Sequence, residues 1–535
     1  MAVPELRPWR AARPHVARAA GAVRPRLARF VRAAEPRVAR YARATAPRLA
    51  RITRPKTWQY TAGAATAGLA LAAGVVTAAG PWDSTGQRTA ERDRAVALEH
   101  AGGADHGGGP GASGTASGSP RPAPSAGAVL TGLGGTATPG GVKAAPGDRA
   151  ALADLLDPLL KDDPALGERR AAAVVDLTTG KRLYGLGGDV PLTPASTTKI
   201  ATAVAALTAM GPDHRLTTRT ALEGDTGELV LVGGGDPTLT AREDPRGLAS
   251  LRTLAEKTAA ALKKRDLRKV TLSYDTTLYS GTEAHPIGVN ENLARVTALM
   301  ADEGRTDDST SGPAPRVPDP AADAARTFAG LLKQHGVTAS APGPSKATAR
   351  ADTLATVSSP PLSALVERML TNSDNDLAEA LARHTAVATG KRADFDGAGA
   401  AVTARLKQLG LPVRGARFHD GSGLDRTDLI SADLLTALLA EAADPARPQL
   451  RAVLTGLPVA HFTGTLAGRY TDGAAGLVRA KTGTLTGVNT LAGTVTTPDG
   501  RLLGFAFLAN DTTDAWAAQA TLDRAATGLV SPTPS

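Results

Sequence analysis

The sequence predicts an α/β (α+β) chain: an antiparallel sheet with helices packed on it, carrying an inserted domain and preceded by a transmembrane helix and a disordered linker. Three observations predict it. Residues 61–80 are twenty consecutive residues without a charge, directly after a basic arm. Of the 25 residues 101–125, 22 are Gly, Ala, Ser, Thr or Pro. From about residue 148 to the C-terminus, helical and strand patterns alternate, separated by Gly, Pro and Asp turns.

The arm, 1–60, carries 15 Lys/Arg against 2 acids, a net +13, while the remaining chain carries 46 against 49, a net −3. The overall +10 therefore belongs to the arm, and a basic nucleic-acid surface on the body is excluded. Pro14, Pro25, Pro36 and Pro47 open four similar five-residue units at a period of eleven, such as Pro25-Arg-Leu-Ala-Arg29. Proline at that spacing favours short helices over one long helix. Two readings stand: a polybasic segment on the anionic lipid of the inner leaflet, and a compositionally biased arm that fixes topology.

The uncharged run 61–80 has the length a helix needs to cross ~30 Å of hydrocarbon. Trp58 and Tyr60 stand before it and Trp82 after it, as interfacial aromatics do. The charge asymmetry then puts the N-terminus in the cytoplasm and the rest of the chain outside, on a single-pass anchor. A cleaved signal peptide is the rival, but a sixty-residue basic segment is too long to precede an ordinary one. Residues 81–147 follow as a linker too poor in apolar side chains to fold.

In the globular part, 148–535, residues 151–160 predict a helix, 171–177 and 182–184 a strand pair, and 200–210 a buried helix. Ser196 and Lys199 open that last helix three residues apart, on one face. A lysine whose pKa is lowered can take the proton of such a serine, and a helix N-terminus offers N–H groups to developing negative charge. Alone, Ser-x-x-Lys is a common surface pattern. Ser373-Asp-Asn375 interrupts two predicted helices, 362–370 and 377–384, and can present a hydroxyl and an amide to one cleft. Lys481-Thr-Gly-Thr484 lies in a predicted edge strand, where Lys481 supplies charge, Thr482 a hydroxyl, Gly483 close backbone approach and Thr484 an N–H. Strands 488–495 and 502–509 follow, joined by Thr497-Pro-Asp-Gly500. Residues 212–350, with helices at 248–264 and 321–335, suffice for an inserted domain.

Ser-x-x-Lys, Ser-Asp-Asn and Lys-Thr-Gly in this order form a specific set. With Gly233-Gly-Gly-Asp-Pro237 and Asp420-Gly-Ser-Gly423, the chain over about 150–530 resembles the class C low-molecular-mass penicillin-binding proteins, D-Ala-D-Ala carboxypeptidases/endopeptidases with a serine β-lactamase-like transpeptidase fold. The resemblance implies that Lys199 deprotonates Ser196 for attack on the penultimate D-Ala carbonyl of peptidoglycan stems. It also implies that Ser373 and Lys481 relay the proton to the leaving amine and that Asn375 orients the substrate amide. Lys481 and Thr482 bind the terminal carboxylate, while the N–H groups of Ser196 and Thr484 hold the oxyanion. It places Asp275 near the amino end of a diamino-acid side chain, against an equal reading as a structural aspartate at a strand end. β-Lactams become covalent inhibitors on Ser196.

Between Asp376 and Lys481 the only glutamates are Glu379 and Glu441, neither in an E-x-x-L-N context, so the acyl-enzyme hydrolysis of class A β-lactamases is not predicted. The alternatives are β-lactamase or esterase action on the same site, and a catalytically silent scaffold. The intact motifs argue against silence. With no Cys, thiol catalysis and Cys-based metal sites are excluded. The nine His show no metal-ligand spacing, and no cofactor is predicted. His419 and His461 are expected to pack near the cleft without catalytic roles.

Overall fold

The computed structural model describes residues 146–530, apart from Val289, Ala341, Pro342 and Asp472. The predicted arm, the 61–80 span and nearly all of the linker lie outside the described residues. Among the described residues, no helix is long and apolar enough to cross a membrane.

Helix α1 (Pro146–Leu160) begins two residues inside the range predicted as linker. Strands β1 (Arg169–Asp176) and β2 (Arg182–Leu186) form the predicted antiparallel hairpin. Asp176 shapes its turn by accepting from the amides of Thr178 and Thr179 at 3.0 and 2.9 Å. A single 3-10 turn, Ala195–Thr197, leads into α2 (Thr198–Met210), buried from Thr198 to Leu207.

The chain then builds a second sheet from β3 (Thr217–Leu222), β4 (Glu228–Val232), β5 (Lys269–Asp275), β6 (Thr338–Ala339), β7 (Gly343–Pro344) and β8 (Asp352–Ser358). Two helices, α3 (Leu251–Lys263) and α4 (Pro320–Gln334), cross between its parallel strands. Its order is β6-β5-β4-β3-β8, with β7 also on β5. Pairs β4/β5 and β5/β6 are parallel and β3/β4 and β3/β8 antiparallel, so this sheet is mixed. Each parallel pair requires a crossover, which α3 and α4 supply. Both helices start on side-chain caps, Ser250 accepting from Thr253 and Asp319 from Ala322.

The chain returns to the main body through α5 (Leu362–Asn372), α6 (Asn375–Ala388), α7 (Phe395–Gln408), α8 (Ala432–Ala443) and the short α9 (Arg451–Thr455). It closes with β9 (Val478–Leu485), β10 (Val488–Thr496), β11 (Leu502–Asn510) and α10 (Ala515–Gly528). The main sheet is fully antiparallel in the order β2-β1-β11-β10-β9, with β9 at the edge.

Period-two alternation lets this sheet serve two cores. On β11, Leu503, Phe505, Phe507 and Ala509 face α1 and α10, while Ala506 and Leu508 face α2, α6 and α8. On β1, Ala172 and Val174 go to the first core and Ala171 and Ala173 to the second. On this second face α8 packs directly against β1, β10 and β11, and the 3-10 turn ahead of α2, which holds the candidate nucleophile, lies against β9 and β10. A third core joins the second sheet to α3 and α4 around Phe328.

Phe505 is fully buried on the central strand. Phe505→Ala is expected to cost about 3–5 kcal/mol through lost transfer energy and a cavity, measured by denaturant unfolding of the folded domain.

Candidate active site

The Ser196 hydroxyl sits on the 3-10 turn ahead of α2, half-buried, with Lys199 three residues on and fully buried. The turn is anchored from the C-terminal strands. Thr193 and Asn510 exchange two hydrogen bonds at 3.0 and 3.1 Å, and the Thr490 hydroxyl donates to the Pro194 carbonyl at 2.7 Å. Ala195, immediately before the serine, is held at φ 47°, a left-handed conformation that costs energy for a residue with a Cβ. Opposite it lies Gly423, at φ 79°, where a Cβ would run into the Ala195 carbonyl. A Cβ at Gly483 would likewise meet the Thr490 hydroxyl and the Pro194 carbonyl. The glycines of two separate segments thus close on the backbone beside Ser196.

Lys199 Nζ contacts Ser196 Oγ at 2.9 Å, Asn375 Oδ1 at 2.7 Å and the Ser422 carbonyl at 2.7 Å. Burial pulls its pKa from 10.5 down to about 8, against the opposing pull of Asp420, Glu379, Asp374 and Asp376. Lys481 Nζ, also fully buried, donates to Ser373 Oγ and to the Thr482 carbonyl, both at 2.8 Å. Burial, and then the neighbouring charge of Lys199, hold Lys481 well below the usual lysine range. Among the described residues no carboxylate pairs with it.

Ser373 ends α5 in a left-handed conformation, φ 57° and ψ 40°. Asp374 then caps α6 by accepting from the Leu377 amide at 3.0 Å. This sharp helix-to-helix passage aims Ser373 at Lys481 and Asn375 at Lys199. The other end of the Asn375 amide donates to the Asn292 carbonyl at 2.9 Å, which fixes its orientation. Thr482 donates to the Thr465 hydroxyl at 2.9 Å.

These groups share one cavity of about 380 Å³, lined by Ser196, Ser373, Asn375, Thr482 and the exposed Thr484. Gly483 lies in the β9 wall between the last two. The sequence therefore located Ser196, Lys199, Ser373, Asn375, Lys481, Thr482, Gly483 and Thr484 in what proves one place. It did not single out Arg305, Arg316, Arg469 and Gln519, which also line the cavity. Nothing in their spacing marks them, since a lone arginine in sequence reads as a solvated one.

Asp275 is not in this cavity. It ends β5, and its two carboxylate oxygens accept from the amides of Thr277 and Ala347 at 2.8 and 3.0 Å. It lines a separate cavity of about 560 Å³ with His214 and His384. His384 stands nine residues beyond Asn375 on α6, ~13 Å along the axis. Asp275 therefore lies outside the cavity that holds Ser196, and its carboxylate closes the turn after the strand. His419 and His461 are exposed rather than packed, and His461, at φ 71°, stacks edge-on against Phe462.

Two buried triads bring metal-type donor atoms within 4.8 Å of one another, His285/Glu379/Asp420 and Glu303/Asp374/Asp376. Protein partners occupy both. His285 Nε2 meets Asp420 Oδ2 at 2.9 Å, and Glu379 accepts from the Gly421 and Ser422 amides. Arg305 and Arg368 each reach Glu303 at 2.7 Å, and Arg316 reaches Asp376 at 2.9 Å.

Residues 152–315 and 305–529 match the D-Ala-D-Ala carboxypeptidase 3 (S13) family. A carboxypeptidase of Mycobacterium tuberculosis is 36% identical over 410 residues, 74% of this chain and 86% of its own. A D-alanyl-D-alanine carboxypeptidase of Actinomadura sp. (strain R39) is 30% identical over 430 residues, 66% of this chain and 79% of its own. The fold is similar to the crystal structure of penicillin binding protein 4 from Haemophilus influenzae, with a TM-score of 0.57 at 21% identity, covering 71% of this chain and 98% of that one. Fold and site define a penicillin-binding protein with an active-site serine, of the class C low-molecular-mass type. The chain belongs to the D-Ala-D-Ala carboxypeptidase 3 (S13) family and is a serine-type D-Ala-D-Ala carboxypeptidase.

Gly423→Ala is expected to push the Ala195 carbonyl aside and move Ser196 off Lys199. Penicillin labelling should fall at least about tenfold while the unfolding midpoint drops only modestly, compared by gel fluorescence and thermal melting.

Proposed function

We propose that the arrangement works as follows on a peptidoglycan stem. The Lys199 amine takes the Ser196 proton, and the oxygen's electron pair forms the bond to the penultimate D-Ala carbonyl carbon. The carbonyl oxygen becomes an oxyanion held by the N–H groups of Ser196 and Thr484. Collapse breaks the peptide bond, and the leaving D-Ala nitrogen takes its proton from Ser373, which is resupplied from Lys481; the proton that Lys199 took from Ser196 passes on to Lys481, so both amines regain their starting state. Water then adds to the ester, activated by Lys199 or Ser373, and frees the serine.

The observation that carries this reading is the Lys199 amine, buried without a partnered carboxylate and in hydrogen-bond contact with Ser196. Lys481 strengthens it. A buried amine with no counter-charge is suited to a ligand that brings one, and both D-Ala-D-Ala and a β-lactam carry a carboxylate next to the bond that is opened. Removal of terminal D-Ala and cleavage of a D,D cross-link share every step up to the leaving group, so endopeptidase action belongs to the same proposal. Glu379 is engaged with backbone amides and does not face the cavity around Ser196. Stable acylation by penicillin follows, rather than rapid turnover.

The location proposed is the outer face of the cell membrane, with 61–80 as a single-pass anchor and 1–60 on the cytoplasmic side against anionic lipid. Support comes from the charge asymmetry and interfacial aromatics of the sequence.

Ser196→Ala is expected to abolish both covalent penicillin labelling and D-Ala release from a pentapeptide, followed by mass spectrometry. In the parent enzyme the acylation rate should rise with pH to a plateau above about 8, the value to which Lys199 is lowered, because only the neutral amine accepts the proton. A rate flat from pH 5 to 9 would remove Lys199 from the base role. Deleting residues 1–56 should leave labelling intact but weaken binding to anionic vesicles, most at low salt, since each basic residue near the surface is worth ~1 kcal/mol before screening.

A further inference from the structure

A neutral amine has two N–H donors and one lone pair. Lys199 has three neighbours, Ser196 Oγ, Asn375 Oδ1 and the Ser422 carbonyl. Asn375 Oδ1 and the Ser422 carbonyl can only accept. When both N–H groups are used on them, the lone pair is left pointing at the Ser196 hydroxyl. The direction of proton transfer is therefore set by two acceptors, one of which is a main-chain carbonyl on the loop Asp420–Gly423.

The peptide unit of that carbonyl is held through its own N–H, that of Gly423, by Asp420, and the two units before it are held by Glu379. Glu379 is fully buried on α6, one turn after Asn375, so both lie on the same helix stripe. Its carboxylate accepts from the Ser422 amide at 2.9 Å and from the Gly421 amide at 3.1 and 3.2 Å to its two oxygens. Arg383, one turn further on the same stripe and also fully buried, stands 3.7 Å from it. Asp420 braces the other side of the loop, accepting from the Asp425 amide at 2.7 Å, from Ser422 Oγ at 3.1 Å and from the Gly423 amide. A stripe of one helix thus positions both acceptors of Lys199: Asn375 directly, and the Ser422 carbonyl through the two preceding peptide units, which Glu379 holds.

We infer that Glu379 is a positioning residue for the general base, aiming the Ser422 carbonyl at Lys199 so that the amine's lone pair faces Ser196. This rests on the base role of Lys199 proposed above. Glu379 also bears on the charge of the amine. The charged groups acting on Lys199 are Asp420, Glu379, Asp374 and Asp376, which favour its ammonium form, while Lys199 in turn lowers the pKa of its neighbour Lys481. Around Glu379 itself stand Asp420, Arg383 and His285. Removing the Glu379 charge takes away one of the four groups that stabilise the ammonium, so the amine loses its proton at lower pH.

The test is the pH profile of penicillin acylation for the full chain carrying Glu379→Gln. The plateau rate should fall about 10- to 100-fold with little change in the dissociation constant of the non-covalent complex, and the acid limb should move to lower pH. Glu379→Asp, which keeps the charge on a shorter stem, should leave the limb where it is in the parent and recover part of the rate. Equal plateau rates and an unmoved limb in Glu379→Gln would overturn the inference. So would a loss confined to binding. If Glu379→Gln fails to fold, Glu379→Asp carries the test, and a parental plateau rate in that variant would overturn it. Absence of any acid limb in the parent would instead overturn the base role of Lys199.

Discussion

Two lysine amines buried within one site, with no carboxylate among the described residues paired to either, are the constraint around which this molecule is arranged. Burying an ammonium is costly, and the usual relief is a bound carboxylate. Here Lys199 and Lys481 instead find hydroxyls, an amide oxygen and main-chain carbonyls. Those partners are all uncharged, so burial lowers the pKa of both amines. The acids that do approach, Asp420, Glu379, Asp374 and Asp376, act on Lys199 from a distance and are themselves tied to amides and guanidinium groups. They raise its basicity against the lowering that burial imposes, without pairing with it.

The scaffold meets this constraint by bringing three remote segments to one point. The sheet's edge strand carries Lys481, the 3-10 turn and the first turn of α2 carry Ser196 and Lys199 in succession, and the α5–α6 passage carries Ser373 and Asn375. Strain is confined to the joints. Ala195 and Ser373, the two non-glycine residues in left-handed conformation nearest the chemistry, lie beside or at the reacting hydroxyls. Glycine at 423 and 483 lets neighbouring backbones close on Ala195. Local strain is offset by a rigid surround of buried helices and sheet.

Much of this was legible in the sequence, because side-chain chemistry at fixed spacing is what a sequence displays. Ser196/Lys199, Ser373/Asn375 and Lys481/Thr482 carry their types openly, and 488–495 and 502–509 read as strands, which are buried on both faces. The strand pairs and the helices at 248–264 and 321–335 emerge within a few residues of their positions. What was not legible falls into two kinds. The Ser422 and Asn292 carbonyls do their work through the main chain, which every residue possesses, so no residue type announces them. Glu379, Arg383, Arg305 and Arg316 are charged residues whose sequence context resembles any solvated helix or loop, and only tertiary packing makes them interior. Glu379 shows the limit: the sequence excludes it from a water-activating context but cannot show that two backbone amides occupy it. Asp275 shows the converse, a polar residue at a strand end whose partners prove to be its own neighbouring loops.

The pairing of β1 with β11 joins Arg169 to Asn510, across more than three hundred residues of intervening chain. That ties the seating of the site to strands made long after β1. The Thr193–Asn510 and Pro194–Thr490 bonds that seat the nucleophile's turn draw one partner each from the last strands. A chain still emerging has its serine and first lysine long before it has the strands that set them in register. Closing so long a loop is also slow relative to local helix formation. The site is thus seated only once β10 and β11 have been made, and a shorter nascent chain carries Ser196 and Lys199 without the strands that hold their turn.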